Sequence, residues 1–235
     1  YVQGRDALLK FHEEMGYMGK RWLFVCSNSG YKACHDKIEK SFEGLDDYRR
    51  YEIFGGISSN GEINKMKAIV EQDNIDTVVA VGGGSAVDTA KATAYYSGKH
   101  IVIVPTVAAT DAPCTGLSVI YNDDHSFDKY LFYPTNPDAV MVDTTVIANA
   151  PVKFLIAGMG DALGTYFEGR ASIRTEALRA RASQEQVRHL HVFAMTRSVN
   201  TASRLSRLVR YTPLLPHLKI SLKLTFTFQV SAPIT

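Results

Sequence analysis

Short apolar runs alternate with helical periods along the first 150 residues of the chain. Many of these runs are β-branched or aromatic, and the runs near Thr77 and Ile101 have the continuous apolar character of strands buried on both faces. This alternation is typical of a parallel sheet covered by helices, and it predicts an α/β fold. The predicted strands are Trp22–Val25, Tyr51–Phe54, Thr77–Val81, Ile101–Val104, Leu117–Tyr121 and Ala139–Val142.

Helical periods lie between and after these strands. Ser59 and Glu62 have capping-box spacing ahead of apolar residues at helical intervals, so a helix is expected to begin after Ser59. Pro151 suits the first turn of another helix, predicted to run to about residue 170. Gly158, Asp161 and Thr165 share another face of this helix, on which small residues flank a carboxylate, so that face could approach another surface closely and line a cleft. Two further helices are predicted, one around Ala7–Met15 and one after Gly30 that carries Ala33, Ile38 and Phe42.

Three glycines interrupt the chain between an apolar strand and an alanine-rich helix, in the stretch VVAVGGGSAVDTAKATAYY from Val78 to Tyr96. Without a Cβ, Gly82, Gly83 and Gly84 could take positive φ and come close to a ligand, while N–H groups after Ser85 point into the same space. The pattern therefore predicts an anion site. It matches neither GxGxxG nor GxxxxGK[ST], and a tight turn without a ligand is the alternative.

A second specialised loop follows the next apolar strand, with the sequence PTVAATDAPCTG. Ligands of open α/β sheets bind at the carboxyl ends of the strands, where this loop and the glycine loop both lie. Thr106, Thr110 and Thr115 could donate hydrogen bonds to a cofactor, and Asp111 could accept one from a substrate hydroxyl. A hydrogen-bonded surface loop with a capping Asp is the alternative.

Charge and glycine content divide the chain near Ala171. All 17 glycines precede residue 172, whereas residues 172–235 contain ten Lys or Arg against two acids, although the whole chain is only +2. The three cysteines have no metal or disulfide spacing, and neither a signal peptide nor a membrane span is visible, so we expect a soluble, cytoplasmic protein.

Four segments carry a family resemblance: GGGSAVDTAK, PTVAATDAPCTGLSVIY, NPDAVMVDTTVIANAP and AGMGDALGTYFEGR. From about Tyr1 to Arg170 the chain resembles the iron-type, metal-dependent alcohol dehydrogenases, and within them the glycerol dehydrogenases. The resemblance implies a Rossmann-like NAD-binding α/β domain at 1–149. It also implies the first helix of an all-helical metal-binding domain at 150–171. Residues 172–235 form an unmatched basic tail, as in a truncated or frame-disrupted enzyme.

The resemblance also implies roles for individual residues. Asp111 would bind the substrate, and Asp161 would be the first ligand of a divalent metal, Zn²⁺ or Fe²⁺. The metal would polarise a hydroxyl of glycerol or a similar small polyol, which NAD would oxidise to dihydroxyacetone. The pyrophosphate would be held by Gly82, Gly83, Gly84, Ser85 and Ala86, and the rest of the dinucleotide site would consist of Asp88, Thr106, Thr110, Thr115, Leu117 and Tyr121.

The chain departs from the family in two places. The histidines expected to complete the metal site do not follow in a matching motif, and His189, His191 and His217 lie in unrelated surroundings. After the first long strand, Cys26–Ser29 replaces the acid that often binds the adenosine ribose, which leaves NAD against NADP open.

These departures leave other functions open. One alternative is a catalytically incomplete NAD-binding fragment, and another is a dehydroquinate synthase-like enzyme, although the 105–116 loop lacks the Lys or Arg that a phosphorylated substrate would need. The basic tail, with Arg204, Arg207 and Arg210, lacks a base-stacking array, so we expect neither nucleic acid nor membrane as a partner. The family implies homo-oligomers for full-length relatives.

Overall fold

The computed structural model describes the backbone of residues 1–178 and the side chains of residues 1–171. The basic tail residues Arg204, Arg207 and Arg210, and the histidines His189, His191 and His217, therefore lie outside the described residues. The chain divides into two compact units, of which the first is Tyr1–Val107 with Ala112–Ala150. Within the described residues, the second unit consists of Ala108–Asp111 and residues 151–178.

Among residues 1–178, the first unit contributes eight strands and five helices, and the second contributes one long helix. The strands are β1 (Val2–Gly4), β2 (Arg21–Cys26), β3 (Tyr48–Ile53), β4 (Thr77–Gly82), β5 (His100–Pro105), β6 (Leu117–Tyr121), β7 (Phe127–Phe132) and β8 (Ala139–Asp143). The helices are α1 (Phe11–Met15), α2 (Asn28–Ser41), α3 (Asn60–Gln72), α4 (Gly84–Ser97), α5 (Thr144–Asn149) and α6 (Val152–Leu178). Three 3₁₀ turns lie at Ala7–Lys10, Gly16–Met18 and Ala112–Cys114.

Six strands form one parallel sheet in the order β1-β8-β5-β4-β2-β3, which confirms the predicted α/β fold. The run at Leu117–Tyr121 is a strand as predicted, but it pairs antiparallel with β7 in a separate two-stranded ribbon. Its alternating burial, with Ser118 and Ile120 inside, fits a strand that covers the protein with one face only. The exposed β7 and the three-residue β1 were not predicted, because neither has a buried apolar run.

The strand order creates a topological switch point between β2 and β4. The chain leaves β2 through α2 toward β3 on one side, and it leaves β4 through α4 toward β5 on the other. The connections therefore diverge, and a crevice opens at the carboxyl ends of these two neighbouring strands. The two turns at this crevice are Cys26–Asn28 and Gly82–Gly84.

An aromatic cluster, which includes Trp22 and Phe24 of β2, packs on one face of the sheet. Phe11 lies at its centre, with ring centroids 5.7 Å from Trp22, 5.7 Å from Phe24 and 5.9 Å from Phe42. All four side chains are buried, and the indole N–H of Trp22 donates to Asp47 at 3.1 Å. The polar edge of the indole is thus satisfied while its ring fills the core.

The predicted helices form with shifted boundaries. Ser59 caps α3 by accepting a hydrogen bond from the Glu62 N–H at 3.2 Å, as its spacing predicted. Helix α2 begins at Asn28 rather than after Gly30, because Ser27 is its capping residue. Ala33 is exposed instead of packed, and Cys34 takes the inward position.

The second unit depends on a close approach between α6 and the Ala108–Asp111 segment. A Cβ added at Gly158 would lie 2.0 Å from the Ala108 carbonyl oxygen. Only glycine fits here, as the small residues on this face of the predicted helix indicated. No helix within residues 1–178 combines the length and apolar content needed to cross a bilayer.

Replacement of Phe11 by Ala tests the aromatic cluster. Phe11→Ala removes a fully buried ring and leaves a cavity, so we expect the free energy of unfolding to fall by about 3–5 kcal/mol. Urea unfolding followed by far-UV circular dichroism measures the change. Phe132→Ala is the control, because Phe132 is 72% exposed and its loss should cost less than about 0.5 kcal/mol. Equal losses for the two variants would contradict the assigned core.

A pair of glycine variants tests the second unit. Gly158→Ala forces a methyl group into the Ala108 backbone, and we expect a loss of about 1–3 kcal/mol in urea unfolding. In Gly160→Ala the new Cβ meets nothing within 4 Å, and removing a helical glycine should stabilise by about 0.5–1 kcal/mol. A Gly158→Ala variant that is as stable as wild type, or more stable, would show that α6 does not approach Ala108 so closely.

Candidate functional site

The glycine loop between β4 and α4 consists of one residue, Gly83. Its φ of −92° and ψ of −170° are extended values that any residue adopts. Among residues 1–178, the glycines with positive φ are Gly19, Gly44, Gly56 and Gly98. The expectation that Gly82, Gly83 or Gly84 takes positive φ is therefore wrong, and the triplet needs another physical reason.

Close packing at the switch point supplies this reason for Gly82. A Cβ added at Gly82 would lie 2.8 Å from the Ala86 Cβ and 3.1 Å from the Ser27 hydroxyl. The Ser27 N–H also donates to the Val81 carbonyl at 3.0 Å, and a Cβ at Gly30 would lie 2.4 Å from that same oxygen. The turns after β2 and β4 thus touch through atoms that leave no room for side chains.

Helix α4 begins at the crevice with an uncapped end. Gly83 is its N-cap residue, and among the described residues no side chain accepts from its first turn. The first N–H groups of a helix have no partner inside the helix, and together with the helix dipole they attract an anion. Gly83 and Gly84 are half-buried and Ser85 is exposed, so a ligand can reach these groups. This turn fits a phosphate group.

One predicted cofactor residue, Thr106, lies next to this turn along the backbone ladder, whereas Tyr121 lies beside a different turn. Pro105 is the register partner of Gly82, and the Thr106 N–H donates to the Gly82 carbonyl at 3.0 Å. Thr106 is buried beside the glycine loop. At the far end of β6, the Tyr121 N–H donates to the backbone carbonyl of Ser58 at 2.9 Å. Tyr121 therefore borders the turn that precedes α3.

Asp88 lies one turn into α4 and is buried. Its Oδ2 accepts a hydrogen bond from the Val119 N–H at 3.3 Å, and its Oδ1 lies 3.2 Å from the Lys91 ammonium. Desolvation raises the pKa of Asp88, and the Lys91 charge opposes this shift. Its oxygens contact protein groups, and a role beside the nicotinamide stays a prediction.

Thr115 and Leu117 belong to a segment whose backbone carbonyls accept hydrogen bonds from the Lys91 side chain. The Lys91 ammonium donates to the carbonyl oxygens of Ala112 at 2.9 Å and Thr115 at 3.3 Å, and it also donates to the Leu117 carbonyl. The 112–117 segment thereby joins α4. Sequence reasoning did not single out Lys91, because a lysine in a helix is usually solvated.

The residues after β2 occupy the other side of the crevice. Ser27 caps α2 by accepting from the Gly30 N–H at 3.0 Å, and Asn28 and Ser29 are exposed. These neutral polar groups stand where an acid often binds the adenosine ribose in the family that the sequence resembles. They leave the choice between NAD and NADP to measurement.

The second unit brings Asp111 and Asp161 close to each other. The predicted cofactor residue Thr110 also belongs to this unit, and its hydroxyl donates to Asp111 at 3.5 Å. Solvent reaches Asp161, yet surrounding protein displaces part of its water, and this desolvation, followed by the charges of Asp111 and Glu168, raises its pKa. The backbone N–H of Asp111 opposes the shift. The two carboxylates form a negative site that would attract a cation.

These carboxylates fit a metal in type but not in number. A catalytic zinc site usually has three protein ligands, and no group of three or more His, Cys, Asp or Glu in the described part of the chain is placed to hold an ion. His12, His35 and His100 instead lie within 3.4 Å of carboxylates on Asp47, Asp36 and Asp138. Asp161 is thus one candidate ligand without a completed set.

The amino-acid sequence of the chain is similar to those of glycerol dehydrogenases. It is 42% identical over 177 residues to a glycerol dehydrogenase of Escherichia coli O6:H1 and 44% identical over 178 residues to one of Thermotoga maritima. These matches cover 75% and 73% of this chain, but only 48% and 46% of the relatives. The chain spans about half the length of the curated relatives it matches.

Solved structures show the same fold. A probable glycerol dehydrogenase from Sinorhizobium meliloti 1021 superposes with a TM-score of 0.85 at 32% identity, over 97% of this chain and 63% of the other. The glycerol dehydrogenase of Schizosaccharomyces pombe gives 0.78 at 28% identity, over 98% and 59%. The family model described as iron-containing alcohol dehydrogenase matches residues 1–144. The chain therefore belongs to the iron-containing alcohol dehydrogenase family.

Proposed function

We propose that this chain supplies the NAD-binding half of a polyol dehydrogenase that oxidises glycerol, or a similar small polyol, to dihydroxyacetone. The observation that carries the proposal is the uncapped start of α4 beside Gly82 and Gly83, at the switch point of a parallel sheet. Names of the relatives support glycerol as the substrate.

In this proposal the first turn of α4 binds the pyrophosphate through N–H groups of Gly84, Ser85 and Ala86. Thr106, Thr115, Leu117 and Tyr121 border the remainder of the dinucleotide. Overall, glycerol and NAD⁺ give dihydroxyacetone, NADH and a proton, with hydride passing from the carbinol carbon to the nicotinamide.

Asp111 and Asp161 are the proposed polar residues of the substrate end. Asp111 would accept a hydrogen bond from a substrate hydroxyl, and Asp161 would contribute one ligand to a Zn²⁺ or Fe²⁺ ion. When bound, such an ion lowers the pKa of the alcohol by several units. The raised pKa of Asp161 is consistent with this role, because a nearby cation would offset both the desolvation of the carboxylate and its repulsion from Asp111 and Glu168.

A second candidate function is dinucleotide binding without turnover. It is favoured by the sequence beyond Ala171, which contains no histidine motif that matches the family's remaining metal ligands. The dehydroquinate synthase-like alternative gains no support from the described residues near 105–116. Lys91 reaches this segment, but its ammonium binds backbone carbonyls.

Substitutions at Gly83 test the phosphate site separately from the fold. Gly83→Asp places a helix-capping carboxylate where the phosphate would bind, and the extended backbone of Gly83 accepts it without strain. We expect unchanged or slightly raised thermal stability and at least about a tenfold loss of NAD⁺ affinity in isothermal titration, since charge repulsion of about 1.4 kcal/mol has that effect. Gly83→Asn is the matched neutral control and should bind more tightly than Gly83→Asp. Equal affinities for wild type and Gly83→Asp would place the dinucleotide elsewhere.

Turnover tests the dehydrogenase half of the proposal. The full chain, stripped of metal and then given Zn²⁺ or Fe²⁺, should reduce NAD⁺ with glycerol, as measured by NADH absorbance. Asp161→Asn removes a negative ligand at nearly constant volume, and we expect turnover to fall by about 100-fold while NAD⁺ affinity stays constant. NAD⁺ binding by wild type without turnover under any metal would favour the binding-only candidate.

A further inference from the structure

Lys91 is a buried charged residue that does not belong to the proposed dinucleotide site. It lies in the third turn of α4, and its side chain is 2% exposed. A buried ammonium is unfavourable unless charged and hydrogen-bonding partners surround it. Lys91 is surrounded by partners of this kind, so its ammonium performs a task that an apolar side chain in this alanine-rich helix could not perform.

The ammonium donates hydrogen bonds to one short stretch of backbone, on the side of that stretch that faces the protein interior. Its acceptors are the carbonyl oxygens of Ala112, Thr115 and Leu117, and the Asp88 carboxylate lies 3.2 Å away. Asp88 in turn accepts from the Val119 N–H, and its own carbonyl accepts from the Ser118 hydroxyl at 3.3 Å. Helix α4 thus holds the stretch from Ala112 to Val119 through Lys91 and Asp88.

Carbonyl direction determines how this stretch faces the solvent. Within a trans peptide the C=O and N–H bonds point in opposite directions. When Lys91 draws the Thr115 carbonyl inward, the Gly116 N–H must point outward. The Leu117 carbonyl anchors the next part of the segment, where Ser118 is buried and pairs with Leu131 of β7. Thr115, Gly116 and Leu117 are all half-buried, so this outward side is accessible.

We propose that Lys91 is a positioning residue that orients the peptides of the 112–117 segment for contact with the dinucleotide. The inference rests on the proposed function, because it takes Thr115 and Leu117 as part of the dinucleotide site. The same helix offers its first turn to the phosphate, and one rigid element thereby sets both contacts. Asp88 has the supporting role of a counter-charge for the ammonium.

The test compares two lysines in the full chain. Lys91→Met keeps the length of the side chain but removes its charge and donors, whereas Lys65→Met is the matched control. Lys65 also forms an ion pair three residues from an acid, Glu62, but it is 49% exposed. Hydrogen exchange by mass spectrometry reports on the 112–117 amides, and NADH fluorescence titration reports on affinity.

We expect Lys91→Met to speed exchange in the 112–117 peptide and to weaken NADH binding by about tenfold or more, because the segment no longer has its binding geometry. Lys65→Met should change neither. A folded Lys91→Met protein with wild-type exchange in this peptide would overturn the proposal. Faster exchange with unchanged NADH affinity would also overturn it, since Lys91 would then act on the fold alone.

A second variant covers the case in which Lys91→Met does not fold. Lys91→Ala leaves space for propylammonium, which restores the charge and donors, whereas 1-propanol fills a similar volume without the charge. Recovery of folding and NADH binding with propylammonium only would support the proposal, and equal recovery with both additives, or with neither, would overturn it. If wild type fails to bind NADH, the proposed function itself fails, and the comparison of wild type with Lys91→Met distinguishes the two failures.

Discussion

Close contact between the turns that follow β2 and β4 is the constraint on which the candidate site depends. The Ser27 N–H donates to the Val81 carbonyl, and the same oxygen leaves no room for a Cβ at Gly30. Two helices with diverging connections can start side by side only if their first turns nearly touch. The missing side chains at Gly30 and Gly82 satisfy this condition, and they explain the glycines better than backbone conformation does.

Helix α4 connects this constraint to the chemistry. Its first turn lies at the crevice, while Asp88 and Lys91 on its buried side hold the segment that contains Thr115 and Leu117. A ligand that touches both regions would meet groups already fixed by one helix. Such preorganisation lowers the entropy lost on binding, and it gives the buried ion pair a role that offsets the cost of its desolvation.

The second unit, in contrast to the ion pair of α4, places two negatively charged side chains near each other. Asp111 and Asp161 are held near each other by the approach of Gly158 to Ala108, and desolvation together with the Asp111 charge raises the pKa of Asp161. A protein that keeps two acids together loses stability unless a cation or a proton joins them. This cost is understandable at a functional site, where the proposed substrate and metal would be bound.

The sequence by itself determined the fold class, most strands of the sheet and the start of α3, because these depend on local periodicity and capping chemistry. Family motifs also identified the candidate residues from Gly82 to Tyr121, with Asp161 beyond them. Only the tertiary structure decided that β6 leaves the parallel sheet, that Gly82 is required by Ser27 and Ala86, and that Lys91 is buried. The physical reason is that these facts depend on contacts between residues far apart in the chain. A local pattern cannot specify such contacts, so a buried lysine and a solvated one look the same in sequence.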